Sequence, residues 1–214
     1  MRLFIAINLS DEMKNSLISA QNTMYDRGIR GNFTSEENMH LTLAFIGEYP
    51  GADLVLDALS TISFSPFDIT LEGIGCFGDL WWAGLKESVP LMSVVRRIRR
   101  ALAESEIPFD RKRLSPHITL IRKASGKMPG IQIRPASMTV STISLMRSDR
   151  GRNGMIYTEL GVKEAYQNKE NGRILFDRVG KTGFVFALYP NELFSDMYYM
   201  SFSAVLLLRE QESP

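Results

Sequence analysis

Cysteine is nearly absent from this chain. Cys76 stands alone, so no internal disulfide can form, which suits a reducing, cytoplasmic setting. Histidine is also scarce, with two in 214 residues. Charge of either sign nearly cancels, to +1. That excludes a polycationic surface for nucleic acid, and any phosphate binding has to come from local clusters. The chain holds no uncharged apolar run of about 18 residues or more. The nearest approach, Phe184–Leu208, is broken by Pro190, Asn191, Glu192 and Asp196, so no transmembrane helix and no membrane partner are expected. The apolar start Met1–Leu9 meets Ser10-Asp11-Glu12 too soon for a secretory leader and reads as a first strand. Gly-x-Ser-x-Gly and Gly-x4-Gly-Lys-Ser/Thr are missing too, which removes the hydrolase elbow and the phosphate loop.

What is present is ordinary for a globular domain, with 44% hydrophobic and 23% charged residues. Met13, Leu17, Ala20 and Met24 recur at helical spacing behind Ser10, a good N-cap, and before Gly28, a good stop, so 11–27 reads as a helix. Residues 52–62 and 89–105 read as two more helices. The last has Leu91, Val94, Val95, Ile98 and Leu102 inside, and Arg96, Arg97, Arg99 and Arg100 largely outside. Strands are expected at Leu3–Leu9, His40–Ile46, Phe67–Ile74, Leu80–Leu85 and His117–Ile121. Met138–Met146 and Met155–Val162 read as a hairpin around Arg150-Gly151-Arg152-Asn153-Gly154. Two hairpin signals favour antiparallel sheets with helices packed on one side, an α+β class rather than a doubly wound parallel one.

The chemistry lies in a repeat. His40-Leu41-Thr42-Leu43 and His117-Ile118-Thr119-Leu120 share one pattern and use every histidine in the chain. Side chains of a strand alternate faces, so His and Thr two apart point the same way while the apolar residues between them point into the core. Two such strands side by side would hold two imidazoles and two hydroxyls around one small anion. An imidazole titrates near pH 6.5, so one neutral and one protonated ring make a general base and a general acid. The hydroxyls can donate to the non-bridging oxygens of a phosphoryl group as charge develops. The plain alternative is a pair of core histidines with threonine as an ordinary β-former. It accounts easily for one such motif and poorly for a matched pair. Zinc usually takes three or four ligands, and no carboxylate sits inside either motif, so no metal or other cofactor is expected.

These residues resemble a known family. Met1-Arg2-Leu3-Phe4-Ile5-Ala6-Ile7, Asn38-Met39-His40-Leu41-Thr42-Leu43-Ala44-Phe45-Ile46-Gly47-Glu48 and Ser115-Pro116-His117-Ile118-Thr119-Leu120-Ile121-Arg122 are similar to the two-histidine phosphoesterase superfamily. The likeness is to its RNA 2′,3′-cyclic phosphodiesterase branch, long called 2′-5′ RNA ligase. Phe77-Gly78 before an aromatic strand and Met155-Ile156-Tyr157 after a glycine-bearing turn fit the same branch. The likeness covers residues 1–163 or so. It implies a bilobal, pseudo-twofold α+β fold with antiparallel sheets lining a central cleft, helices outside, one His-x-Thr motif from each lobe, and no metal. It implies His40 as proton donor to the leaving 3′ oxygen and His117 as the acceptor that activates water, giving a 2′-phosphate. On the assignment of those two roles the sequence itself is symmetric.

Basic residues surround the second motif: Arg111-Lys112-Arg113 lead into it and Arg122-Lys123 leave it. Arg113 and Arg122 are candidate phosphate ligands, although a regular strand would turn Arg122 away from His117 unless it bends or ends there. Phe33 is a candidate for stacking on a base, with core packing as its ordinary alternative. Of Trp81 and Trp82, one is expected in the core. Residues 164–214 form a C-terminal extension of unassigned role, opening on a polar linker at Ala165–Gly172. The expected partners are RNA 3′ ends or nucleoside 2′,3′-cyclic phosphates, with no obligate protein partner. Competing functions are 2′-5′ ligation of RNA, hydrolysis of a small cyclic nucleotide, and a nucleotide- or RNA-binding module without catalysis.

Overall fold

Two of the three α-helices among the described residues begin at a serine cap. In a computed structural model of the chain, Ser10 Oγ accepts from Met13 N at 3.3 Å and opens α1 (Asp11–Asp26), with Asp11 and Glu12 at its positive end. Gly28 then adopts φ +84°, a left-handed turn that lets Ile29 N donate back to Met24 O and ends the helix. The structure describes residues 1–126, 130–152 and 154–166, and the backbone of two short strands beyond them.

The first strand, β1 (Arg2–Asn8), leads into α1. It is followed by β2 (Arg30–Phe33), a 3-10 turn at Glu36–Asn38, β3 (His40–Glu48) and α2 (Asp53–Ser60). Then come the hairpin β4 (Phe67–Phe77) and β5 (Leu80–Leu85), α3 (Val89–Glu104), β6 (His117–Ser125), β7 (Ser137–Val140), and the hairpin β8 (Thr142–Gly151) and β9 (Gly154–Glu164). Two antiparallel sheets result, ordered β3-β1-β8-β9 and β2-β6-β5-β4-β7. The fold is α+β and bilobal. Strand β3 of the first sheet lies against β6 of the second, which brings the two His-x-Thr strands together. One apolar core joins the lobes: Leu41 and Leu43 below the first motif, Ile118 and Leu120 below the second, and Met13, Leu17, Leu91 and Ile98 from the helices are all buried.

Two expectations change. The stretch Met138–Met146 is two strands, because Val140 is buried opposite Phe67 in one sheet and Ile143 is buried in the other, so the chain changes sheets at Ser141. The short β2, Arg-Gly-Asn-Phe, was not expected, since four residues with one apolar side chain carry no strand periodicity.

The chain divides into two compact units, Met1–Tyr166 and Gln167–Pro214. Ala165 and Tyr166 belong to the first unit rather than to a linker: their N–H groups donate to Ser141 O and Phe64 O at 2.7 Å each, and Ala165 is buried. In the second unit β10 (Phe176–Val179) pairs antiparallel with β11 (Phe184–Ala187). The rest of the proposed linker and of the stretch to Leu208 lies outside the described residues. Among the described residues no helix is long and apolar enough to cross a membrane.

Candidate active site

The two histidine strands are built alike. His40 Nδ1 donates to Asn38 O at 2.8 Å and His117 Nδ1 donates to Ser115 O at 2.7 Å. A carbonyl can only accept, so both rings carry their fixed proton on Nδ1 and turn Nε2 to the cleft. His40 Nε2 lies 3.1 Å from Thr42 Oγ1. Thr119 shares the face of His117 through the pairings Trp82↔Thr119 and Gly84↔His117.

Both strands also carry a bulge at the same place. In the β1–β3 ladder Ala6 faces Thr42 and Ile5 faces Ala44, so Leu43 is extra. In the β5–β6 ladder Trp82 faces Thr119 and Trp81 faces Ile121, so Leu120 is extra. A bulge resets the alternation of faces. Leu43 with Ala44, and Leu120 with Ile121, are therefore consecutive core residues. The fifth residue after each histidine then returns to the cleft face. That residue is Phe45 in the first lobe and Arg122 in the second. The carbonyl of the extra Leu120 is satisfied by Thr34 N at 2.9 Å and by the buried amide of Gln21, whose Nε2 donates at 2.8 Å.

The bulge thus answers what strand parity left open, because it puts Arg122 on the face of His117 and Thr119. Its charge is felt at His40. Burial is the main force that holds the His40 pKa below the ordinary imidazole value. The bond to the Asn38 carbonyl opposes that shift, and the positive charges of Arg122 and His117 add to it. Arg113 lies exposed in the loop ahead of β6. Phe33 does not join the cleft. It pairs with Ile121, a core residue, and packs on the apolar core with its ring 6.3 Å from that of Tyr25. Its neighbour Asn32, opposite Arg122, has the cleft-facing place.

Aromatic rings wall both imidazoles. His40 sits 4.8 Å from Phe4 and 5.1 Å from Tyr157, centroid to centroid. His117 sits 5.3 Å from Phe77 and 6.2 Å from Trp82. Trp81 is the core tryptophan, at 4% exposure. Trp82 turns to the cleft over Gly75, where any Cβ would run into the indole. Phe4 was the least legible of these, because it lies in the apolar run Leu3–Ile7 that reads as core throughout. Among the described residues, no three His, Cys, Asp or Glu side chains group closely enough to hold a metal ion.

Residues 7–80 match the family model described as LigT like Phosphoesterase. A Geobacillus stearothermophilus protein named RNA 2′,3′-cyclic phosphodiesterase is 29% identical over 65% of this chain, which spans 49% of that relative's length. The Thermus thermophilus protein of the same name is 30% identical over 75% of this chain and 88% of its own. The crystal structure of E. coli LigT complexed with 3′-AMP superposes with a TM-score of 0.66 at 27% identity, covering 78% of this chain and 98% of that one. The matched motif strands, the two-sheet cleft and these similarities agree: the chain belongs to the LigT-like phosphoesterase family of RNA 2′,3′-cyclic phosphodiesterases.

Proposed function

We propose that the cleft hydrolyses 2′,3′-cyclic phosphates at RNA 3′ ends to 2′-phosphates, with His40 and His117 as the acid–base pair. The observation that carries this is the duplicated strand: two imidazoles, each with Nδ1 tied to the carbonyl two residues back and Nε2 left to exchange a proton. In the reaction His117 Nε2 accepts a proton from water while the water oxygen attacks phosphorus. The bond from phosphorus to the 3′ oxygen breaks, and His40 Nε2 delivers a proton to that oxygen. One proton is taken and one is given, so the pair leaves the turnover with its protons exchanged, and solvent restores them. Thr42 and Thr119 donate to the non-bridging oxygens, and Arg122 offsets the charge that grows on them.

Burial, with the charges of Arg122 and His117, lowers the His40 pKa, and a substrate phosphate, being an anion, opposes those charges and favours the protonated ring that a donor needs. Arg113 belongs to the rim that a longer substrate would meet. Phe33, turned to the core, is not proposed as a base platform; Trp82, Phe77 and Tyr157 hold that position.

The test is hydrolysis, in EDTA, of a short RNA ending in a 2′,3′-cyclic phosphate, with the product resolved as 2′- or 3′-phosphate. A 2′-phosphate formed in EDTA is expected. A 3′-phosphate product would reverse the leaving group, and a requirement for added metal would overturn the two-histidine mechanism.

A further inference from the structure

Beyond the histidines, the same sheet face continues to a second, unassigned cavity. On β1 the cleft-facing side chains are Arg2, Phe4, Ala6 and Asn8, two residues apart, and Asn8 lies opposite His40. Arg2 is therefore about 20 Å along the strand from the His40 position. Around it opens a pocket of about 600 Å³ lined by Arg2, Glu48, Ser148, Arg150, Arg152 and Met155, among others. The register places most of these on the His40 face: Arg2 opposite both Glu48 and Ser148, and Arg150 opposite Met155.

The pocket is basic. Of its two acids, Asp149 is engaged by Arg147 at 2.7 Å, and Arg147 does not line it. Glu48 lies 3.5 Å from the Met1 nitrogen. Arg2, Arg150 and Arg152 remain to face a ligand. Between this pocket and His40 the sheet carries rings. Phe45 is exposed with the Arg2 guanidinium 5.0 Å above it, and Tyr157, opposite Ser148, is half-buried and touches both Phe4 and His40. A groove that leads from rings to a cluster of arginines suits single-stranded nucleic acid, with bases on the rings and phosphates on the cations.

We infer that this groove is a subsite for the RNA upstream of the cyclic phosphate: Tyr157 and Phe45 take bases of the preceding nucleotides, and Arg2, Arg150 and Arg152 take their phosphodiesters. The inference rests on the proposed reaction at the histidines. It makes the protein an enzyme for RNA ends rather than for free cyclic nucleotides, since a mononucleotide with its phosphate between the histidines does not span to Arg150.

The experiment compares kcat/KM on a nucleoside 2′,3′-cyclic phosphate and on a tetranucleotide with the same end, for the parent and for an Arg150→Ala, Arg152→Ala double variant. The parent is expected to favour the tetranucleotide at least tenfold, and the double variant to lose about tenfold of that ratio, the scale of a charge-assisted contact or two. The salt slope of tetranucleotide binding should fall by about 1.4, two single-strand phosphate contacts. A single Arg150→Glu variant on the exposed hairpin should lower the ratio further. Equal rates for the two substrates in the parent, or a ratio unmoved in both variants, would overturn the subsite. No turnover of either substrate would instead overturn the reaction proposed at the histidines.

Discussion

The two lobes present the same strand twice and differ in what surrounds it. Each has a histidine tied through Nδ1 to the carbonyl two residues back, a threonine on the same face, and a bulge at the next core position. These shared parts are what a symmetric acid–base pair needs. The differences lie one residue beyond. At the position that the bulge returns to the cleft, the first lobe has Phe45 and the second Arg122. Opposite the histidine, the first has Asn8 and the second Gly84, where a Cβ would meet the Glu72 carbonyl at 2.6 Å. In the proposed reaction, duplication would supply the acid–base pair and divergence its direction, since at this position the cation stands in the second lobe and lowers the pKa of the first lobe's histidine.

The largest effects are expected at the histidines. Replacing either with alanine should lower kcat by about 10²–10⁴-fold. Thr42→Val and Thr119→Val should each cost on the order of 10²-fold in kcat, as for one lost oxyanion donor. A rate that survives in one and not the other would assign the oxyanion contact to a single lobe. At the divergent position, Arg122→Ala should lower kcat/KM by about 10-fold or more, the worth of a charge-assisted bond, and Phe45→Ala should cost less. Equal losses would mean that the bulge position matters and the charge does not.

The pH profile sharpens the same contrast. His40 must hold a proton to act as donor, and its pKa in the empty protein is lowered, chiefly by burial and also by Arg122 and His117. The alkaline limb of kcat/KM, which reports the free enzyme, is therefore expected below the ordinary imidazole value of about 6.5. Arg122→Ala removes one of the charges that strip the proton, so it should move that limb to higher pH. A limb that stays put or falls would contradict the cross-cleft coupling. The smallest effect is structural. Gln21→Leu leaves the Leu120 and Thr34 carbonyls each short of a donor and should cost about 1–3 kcal/mol in urea unfolding. It should also weaken substrate binding, because the bulge that aims Arg122 loses its clamp.

Much of this was legible in the sequence for physical reasons. Period-2 and period-3.6 patterns marked the long strands and helices because one face of each is buried, as Leu41 and Leu43 are under His40 and Thr42. The His-x-Thr pair stood out because it used every histidine. The bulge was harder. Its trace is the apolar pair where alternation calls for a polar residue, Leu43-Ala44 and Leu120-Ile121, and it decided the direction of Arg122, which parity alone got backwards. Phe33 went the other way: of its two readings, stacking on a base or packing in the core, the unexpected β2 gives the second, because pairing with Ile121 turns it inward. Asn32, Gln21 and Asn8 gave no signal, since an isolated amide acquires its partner only from strand pairing distant in sequence.

Whether the two histidines act together is decided by a kinetic cycle on an RNA 2′,3′-cyclic phosphate in EDTA, with the parent, His40→Ala, His117→Ala and the double variant. If the two imidazoles act as one unit, each single change should cost nearly as much in kcat as both together. If the losses instead multiply, or if one single variant keeps the parent's rate, the two histidines do not work as a pair.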